Sequence, residues 1–405
     1  MAATSLIVDR LTAGVPGFPA EFVANFRENV ELAAAGGLSP ATVRAIRSDV
    51  RRFAAWCSER GIRWLPADGR DVAIFLEEMG ATGNNGLPYA AATLDRMAFS
   101  IRTIHQLAEL PPPESVKIKL VRKAHARRVG RLQAQATGLT LDMLRPVIGQ
   151  LDAEIADSQS AGHGPNGNEI RQAGLVATRD KALLLTGYCI LARGSELLSL
   201  AWDDITEDGV GGAVATIRRS KVDQEGLGAD QHLWPAVVEA LRAWRLAHDA
   251  ELIQRRLGED ERHRALWAER FRPPVHSCGR KRIHPIKAPV RLDWLDTPQV
   301  FRGLAAVTTT DGKHLGWPTG FALSSLNSMI AERARSAGLK GAFSSHSLRI
   351  GAAQDLVAAG KSLPAIMQDG RWKSPQMVLR YARKLLANRG AMAEMGRELT
   401  DEETA

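Results

Sequence analysis

Cysteine, tyrosine and long apolar runs are what this sequence has least of. Its three cysteines, Cys57, Cys189 and Cys278, are scattered over 405 residues. An odd, dispersed set builds neither a disulfide framework nor a four-thiolate zinc site, and it points to a reducing compartment. Tyrosine is equally rare, with Tyr89, Tyr188 and Tyr381. No stretch approaches the roughly 18 apolar residues of a membrane-spanning helix, and the opening MAATSLIVDRLTAGVPG lacks the basic-then-apolar order of a secretory signal. No GxxxxGK[ST] phosphate loop is present, which speaks against a nucleotide-driven machine. A hydrophobic fraction of 45% excludes general disorder. Charge is only mildly unbalanced, 53 Lys and Arg against 45 Asp and Glu for a net +8, so its distribution matters more than its sum.

The length suits two or three domains. Residues 1–17 read as a flexible leader, and 18–131 as a helical bundle. In the bundle Ser39-Pro40 forms an N-cap with proline in the first turn. Behind it Val43, Ile46, Val50, Phe53, Ala54 and Cys57 recur at helical spacing until Gly61. Val72, Phe75, Leu76 and Met79 form a second stripe, and Leu94, Met97, Ile101, Ile104 and Leu107 a third that stops at Pro111-Pro112-Pro113. No strand-like alternation interrupts this region.

The bundle ends in SVKIKLVRKAHARRVGR, where Lys117, Lys119, Arg122, Lys123, Arg127, Arg128 and Arg131 stand without one acidic residue. Short charge runs are usually solvated helix faces. Seven like charges in 17 residues repel one another unless a polyanion is close, which points to nucleic acid.

Residues 132–139 read as a linker and 140–388 as a second, mostly helical unit with a small antiparallel sheet. Helices are expected over Thr140–Leu151, Thr178–Ala192, Val237–Ile253, Gly320–Ala337, His346–Ala359, Leu363–Asp369 and Ser374–Ala387, with a loop at SQSAGHGPNGNE. AVATIRRSKVDQEGLGADQHLWPA reads as strand, turn, strand, with Lys221 in the turn beside Arg218 and Arg219. An irregular stretch around 258–316 stays unassigned, and 389–405 reads as a short helix with an acidic tail. His276, Cys278 and His284 fall short of a structural zinc pattern, so no metal site is expected.

Several residues carry two readings each. Arg193 follows the apolar run ALLLTGYCILA and needs a partner, because an unpaired buried charge costs several kcal/mol; Glu196 supplies one, and a structural ion pair is the plain reading. Lys221 is a solvated turn lysine or a functional one. His346 and Arg349 share a helix face at a helix start, suited to a cap or to an anion. Trp372 and Tyr381 fit a core, although Arg380, Arg383 and Lys384 place positive charge near Tyr381 and would favour its phenolate. Tyr188 lies in an apolar helix and Tyr89 in the bundle.

Taken in order, Arg193…Glu196, Lys221, His346-x-x-Arg349, Trp372 and Tyr381 resemble the tyrosine recombinase (phage integrase) family, most closely its Cre-type site-specific recombinases. The likeness is carried by ILARGSELLSLAWDDI and SSHSLRIGAAQDLVAAGKSLPAIMQDGRWKSPQMVLRYARKL, and more loosely by LSPATVRAIRSDVRRFAAWCSERGIRWLPADGRDVAIFLEEM. The resemblance implies a mainly α fold: a core-binding bundle, then a catalytic domain with a small sheet and here an insertion around 258–316. It implies that Arg193 and Arg349 clamp the scissile phosphate of double-stranded DNA, that His346 and Trp372 hydrogen-bond it, and that Glu196 orients the site. Lys221 would protonate the 5′-oxygen and Tyr381 would form a 3′-phosphotyrosyl bond, with no cofactor. It further implies inverted-repeat half-sites, a tetramer on two sites docked through 389–405, strand exchange through a Holliday junction, and a cytoplasmic, nucleoid-associated bacterial protein borne by a phage or plasmid. A type IB topoisomerase, a telomere resolvase and a non-catalytic DNA-binding relative are the competing expectations.

Overall fold

The structure is a computed structural model that describes residues 19–83, 87–130, 135–160, 167–218, 228–250, 299–301, 307–308, 314–316, 321–387, 392–393 and 395. Lys221, Arg131, Arg219, His276, Cys278, His284, the leader and nearly all of 389–405 lie outside these residues. The chain divides into two compact units, 1–134 and 135–405.

The first unit is helical throughout its described residues: α1 (Ala20–Leu32), a π-turn over Ala33–Gly37, α2 (Pro40–Glu59), α3 (Gly69–Ala81), α4 (Ala91–Leu107) and α5 (Val116–Val129). The expected Ser39 cap is present, its Oγ accepting from Thr42 N at 3.2 Å. The three apolar stripes meet in one core, where Phe75 lies edge-on to Phe53 and Trp56 at 5.1 and 5.6 Å. Buried Asp49 of α2 is neutralised across the bundle by Arg96, with Ser100 as a second donor, at 2.7 and 2.8 Å.

In the second unit α6 (Leu141–Ser160) and α7 (Gly167–Cys189) pack side by side. Both run further than the apolar pattern suggests, and each takes in part of the stretch read as a loop. Two positions on α6–α7 that look polar in sequence are ion-paired here: Arg333 bonds Asp180 and Glu154 at 3.0 and 2.7 Å. Next come α8 (Gly194–Ser199) and the meander β1 (Ile205–Glu207), β2 (Ala213–Ile217) and β3 (Ala229–Leu233). The strands pair antiparallel in the order β1-β2-β3, with Ile205 opposite Ala215 and Ile217 opposite Ala229. Alternation along β2 puts Ala213, Ala215 and Ile217 into the core. A helix, α9, runs over 235–250.

The unassigned stretch returns to the core at its far end. Val300 N donates to Leu200 O, Trp244 Nε1 donates to Val300 O, both at 2.8 Å, and Val300 and Phe301 are buried. A short antiparallel pair, β4 (Val307–Thr308) and β5 (His314–Gly316), lies beyond it. The unit closes with α10 (Leu323–Ser336), α11 (Ser345–Ala358), α12 (Leu363–Gly370), α13 (Pro375–Tyr381) and α14 (Arg383–Ala387).

The last residues of the expected linker belong to this unit. Thr137 N and Leu139 N donate to Ala342 O and Ser347 O, and Leu139 is buried. Gly351 of α11 allows this approach, since a Cβ there would stand 2.0 Å from Leu139 O. Among the described residues no helix is long and apolar enough to cross a membrane, and no group of three or more His, Cys, Asp or Glu could hold a metal ion.

Candidate active site

The residues singled out in the second unit converge from four segments. The carboxyl end of α7 and the start of α8 bring Arg193 and Glu196. The start of α11 brings His346 and Arg349, the turn after α12 brings Trp372, and the last turn of α13 brings Tyr381.

The start of α11 is fixed by its own serines: Ser344 Oγ accepts from His346 N at 3.4 Å, and Ser347 Oγ accepts from Ser344 N at 2.9 Å. This reciprocal cap holds His346 and Arg349 on one face, one turn apart. Tyr381 Oη then lies 2.9 Å from His346 Nε2, with the two rings edge-to-face. Trp372 packs edge-on against Tyr381 from another side at 5.6 Å, and Arg349 lies over the Trp372 ring at 4.5 Å.

Arg349 is completely buried. Its Nη1 donates to Leu191 O and its Nη2 to Gly370 O, while Nε has no partner. A buried charged donor without an acceptor is costly, and it marks the direction from which an anion would be bound. Burial and the neighbouring Arg193 and Arg371 push the Arg349 pKa down to about 10. Arg193 is more open, with 21% of its side chain exposed, and it pairs with Glu196. Glu196 also reaches back to Arg193 N at 3.0 Å, so the carboxylate fixes both ends of that arginine. Burial pushes the Glu196 carboxyl up, but the Arg193 N–H and Arg371 outweigh it and hold it below the usual range.

One expectation is corrected. The positive charge around Tyr381 favours its phenolate but does not set the direction of the shift. Burial wins over Arg349, Arg193 and Arg380, and the phenol is pushed above its ordinary value. The same burial and the same three arginines push His346 below its ordinary value. A neutral imidazole beside a protonated phenol is a base poised to take its proton.

Two residues that sequence reasoning passed over complete the site. Arg371 caps α12 and reaches Glu196 Oε2 at 2.9 Å. Gln354, further along α11, donates to Tyr381 O at 3.0 Å and holds the end of α13. The one sequence signal for Arg371 is its place between a helix-ending glycine and Trp372, where a left-handed residue is common. Arg218, the basic neighbour of the Lys221 turn, is paired to Asp204. The expected strand, turn, strand is present as the antiparallel pair β2–β3, and Lys221 falls between these strands in sequence, outside the described residues. A cavity of about 260 Å³ is lined by Glu196, Asp204, Thr216 and Arg218, so the end of β2 approaches Glu196.

Basic residues of α5 divide into two groups. Arg122 is taken by Asp95 at 2.7 Å and Arg128 donates to Gly80 O at 2.9 Å. Lys117, Lys119, Lys123 and Arg127 are exposed.

A mostly helical unit with a three-stranded meander, setting a tyrosine against a histidine, a tryptophan and an arginine, fits the fold expected of a tyrosine recombinase. Residues 29–110 match the phage integrase N-terminal SAM-like domain. The chain is 24% identical over 357 residues to recombinase Cre of Escherichia phage P1, covering 87% of both chains. It is 23% identical over 345 residues to an integrase/recombinase XerD homolog of Selenomonas ruminantium, covering 84% of this chain and 80% of that one. Among solved structures, the fold matches the XerH site-specific recombinase bound to difH substrate in a pre-cleavage complex, with a TM-score of 0.50, 11% identity, and 96% and 94% of the two chains covered. These comparisons support a tyrosine recombinase (phage integrase) relationship, and the likeness to the Cre type is loose.

Proposed function

We propose that this chain is a site-specific DNA recombinase that cuts and rejoins duplex DNA through a 3′-phosphotyrosyl bond at Tyr381. The observation that carries this reading is the 2.9 Å contact between Tyr381 Oη and His346 Nε2, beside a buried Arg349 whose Nε has no acceptor.

In the proposed step the phenolic oxygen attacks the scissile phosphorus while His346 Nε2 takes its proton. The phosphorus–O5′ bond breaks as the phosphorus–tyrosine bond forms. Lys221 donates the proton to the leaving 5′-oxygen, a role supported by the approach of the β2 end to Glu196. Arg349 Nε, the free arm of Arg193 and Trp372 hold the non-bridging oxygens where negative charge builds. One phosphoester replaces another, so the reverse attack by a 5′-hydroxyl needs no nucleotide.

Double-stranded DNA as the partner is supported by Lys117, Lys119, Lys123 and Arg127 on α5, joined by exposed Arg44 and Arg51 on α2. The recombinase reading extends to inverted-repeat half-sites, four subunits on two sites, and work beside a bacterial nucleoid. The bundle of 18–131 would act as the core-binding domain and 140–388 as the catalytic domain.

The test is covalent capture on a pool of nicked, partly randomised duplexes enriched for binders. The wild type is expected to give a protein–DNA adduct that Tyr381→Phe abolishes. Arg349→Ala should slow it by about 10²–10³-fold, the usual cost of losing one transition-state donor. An adduct that persists in Tyr381→Phe would overturn the assignment.

A further inference from the structure

Arg371 occupies a left-handed conformation, φ 52° and ψ 45°, at the end of α12. Glycine or asparagine is the usual occupant of that position, and an arginine held there signals that its side chain is needed. A second non-glycine residue nearby is also left-handed, Leu191 at φ 46°. The two are connected: Arg371 Nη2 donates to Leu191 O at 3.3 Å, and Nη1 to Ile190 O at 3.0 Å.

Each acceptor of Arg371 that matters is shared. Leu191 O also accepts from Arg349 Nη1. Glu196 Oε2 accepts from Arg371 Nη2 at 2.9 Å, and the same carboxylate holds Arg193. Only 9% of the Arg371 side chain is exposed. Arg371 thus stands behind the two arginines that face the reacting phosphate, joined to each through one common acceptor.

We propose that Arg371 is a positioning residue, a strut that locks Arg193 through Glu196 and Arg349 through Leu191 O into one phosphate clamp. The proposal rests on the recombinase reading of the site. A rigid planar fork suits this task, because it satisfies a carbonyl and a carboxylate at once in fixed geometry. A lysine carries three donors on one flexible point charge and lacks the planar fork that holds both acceptors at a fixed spacing.

The test uses the full chain with Arg371→Gly, Arg371→Lys, Glu196→Gln and the Arg371→Gly/Glu196→Gln double variant. Glycine favours the left-handed backbone, so Arg371→Gly removes the guanidinium while easing the main chain. Covalent-adduct formation is measured under single turnover, with DNA affinity measured separately. Arg371→Gly should slow cleavage by about 10- to 100-fold, the range for a slightly misplaced reacting group, with affinity held within about two-fold, and Arg371→Lys should fall between. The double variant should be no slower than the slower single. Cleavage within about two-fold of wild type in Arg371→Gly, or fully multiplicative effects in the double variant, would overturn the proposal.

Melting the same four chains without DNA reads the Arg371–Glu196 tie independently of cleavage, and additive shifts in melting temperature would overturn it. A wild type that forms no adduct would instead sink the recombinase reading and leave that cycle to decide the strut. Should Arg371→Gly melt early, Arg371→Lys and Arg371→Gln are judged by the same criteria.

Discussion

His346 and Tyr381 show how burial sets a reaction at the scale of single residues. Burial, Arg349, Arg193 and Arg380 all disfavour the charged imidazole, so His346 stays neutral down to a pH below its ordinary 6.5. The base is lost as pH falls through that depressed value, so cleavage should hold across neutral pH and decline only below about 6.5. Arg380→Gln removes one repelling charge, lifts the histidine and should move the acid limb up, as a pH profile of single-turnover cleavage would reveal. Gly370 offers a steric test. A Cβ there would meet the Trp372 ring at 2.1 Å, and that ring lies against both Arg349 and Tyr381. Gly370→Ala should cut adduct formation by about 10²-fold, with circular dichroism still helical; unchanged cleavage would show that the ring moves freely. The chemical identities of these residues were legible in the order of the motifs. The direction of the Tyr381 shift was not, because adjacent charges are visible in a sequence while depth of burial is not.

At the scale of elements, α11 organises the second unit. Its first turns present His346 and Arg349, Gln354 holds the Tyr381 carbonyl, and Asp355 Oδ2 accepts from Leu141 N at 2.7 Å and from the Tyr188 hydroxyl. Tyr188 is buried, and its phenol is pushed well up by burial and by Asp355. Asp355→Ala strands that hydroxyl and should cost about 1–3 kcal/mol, the price of an unsatisfied buried group. A lowered urea midpoint measures it, and an unmoved midpoint would remove Asp355 from the framework. Helices with a repeating apolar stripe, such as α2 and α4, could be located from sequence alone, as could the meander with its alternating β2. The short α8 could not, since six residues carry no period. The reach of α6 and α7 into the expected loop was hidden too, because their outer turns are polar and gain their order partly from ion pairs such as Arg333 with Asp180 and Glu154.

For the whole molecule, the net charge of +8 is a weak guide until each charge is followed to its partner. Of the six described basic residues of α5, Arg122 and Arg128 are tied to partners on neighbouring elements of the bundle, and Lys117, Lys119, Lys123 and Arg127 are exposed. The double variant Lys123→Ala/Arg127→Ala should weaken binding to all DNA sequences alike and lower the slope of log affinity against log salt by about two. The paired variant Arg122→Ala should act chiefly on stability and leave that slope nearly unchanged. Equal slopes for all three proteins would move the DNA-binding face away from α5. A sequence displays the run of like charges, but the carboxylate of Asp95 and the carbonyl of Gly80 that absorb two of them come from distant turns of the bundle.

The cluster of Arg193, Arg349 and Arg371 gathers three guanidiniums around the carboxylate of Glu196, and the pKa of Arg349 is depressed by burial first and then by repulsion from Arg193 and Arg371. Such a pocket is loaded like a compressed spring. In the recombinase reading proposed above, a phosphodiester entering it would relieve part of that repulsion, so that recognising the bond to be cut and relaxing the protein would become one event. Substrate binding at this point would therefore consolidate the second unit, and a site that held DNA more tightly would also be one that resists unfolding.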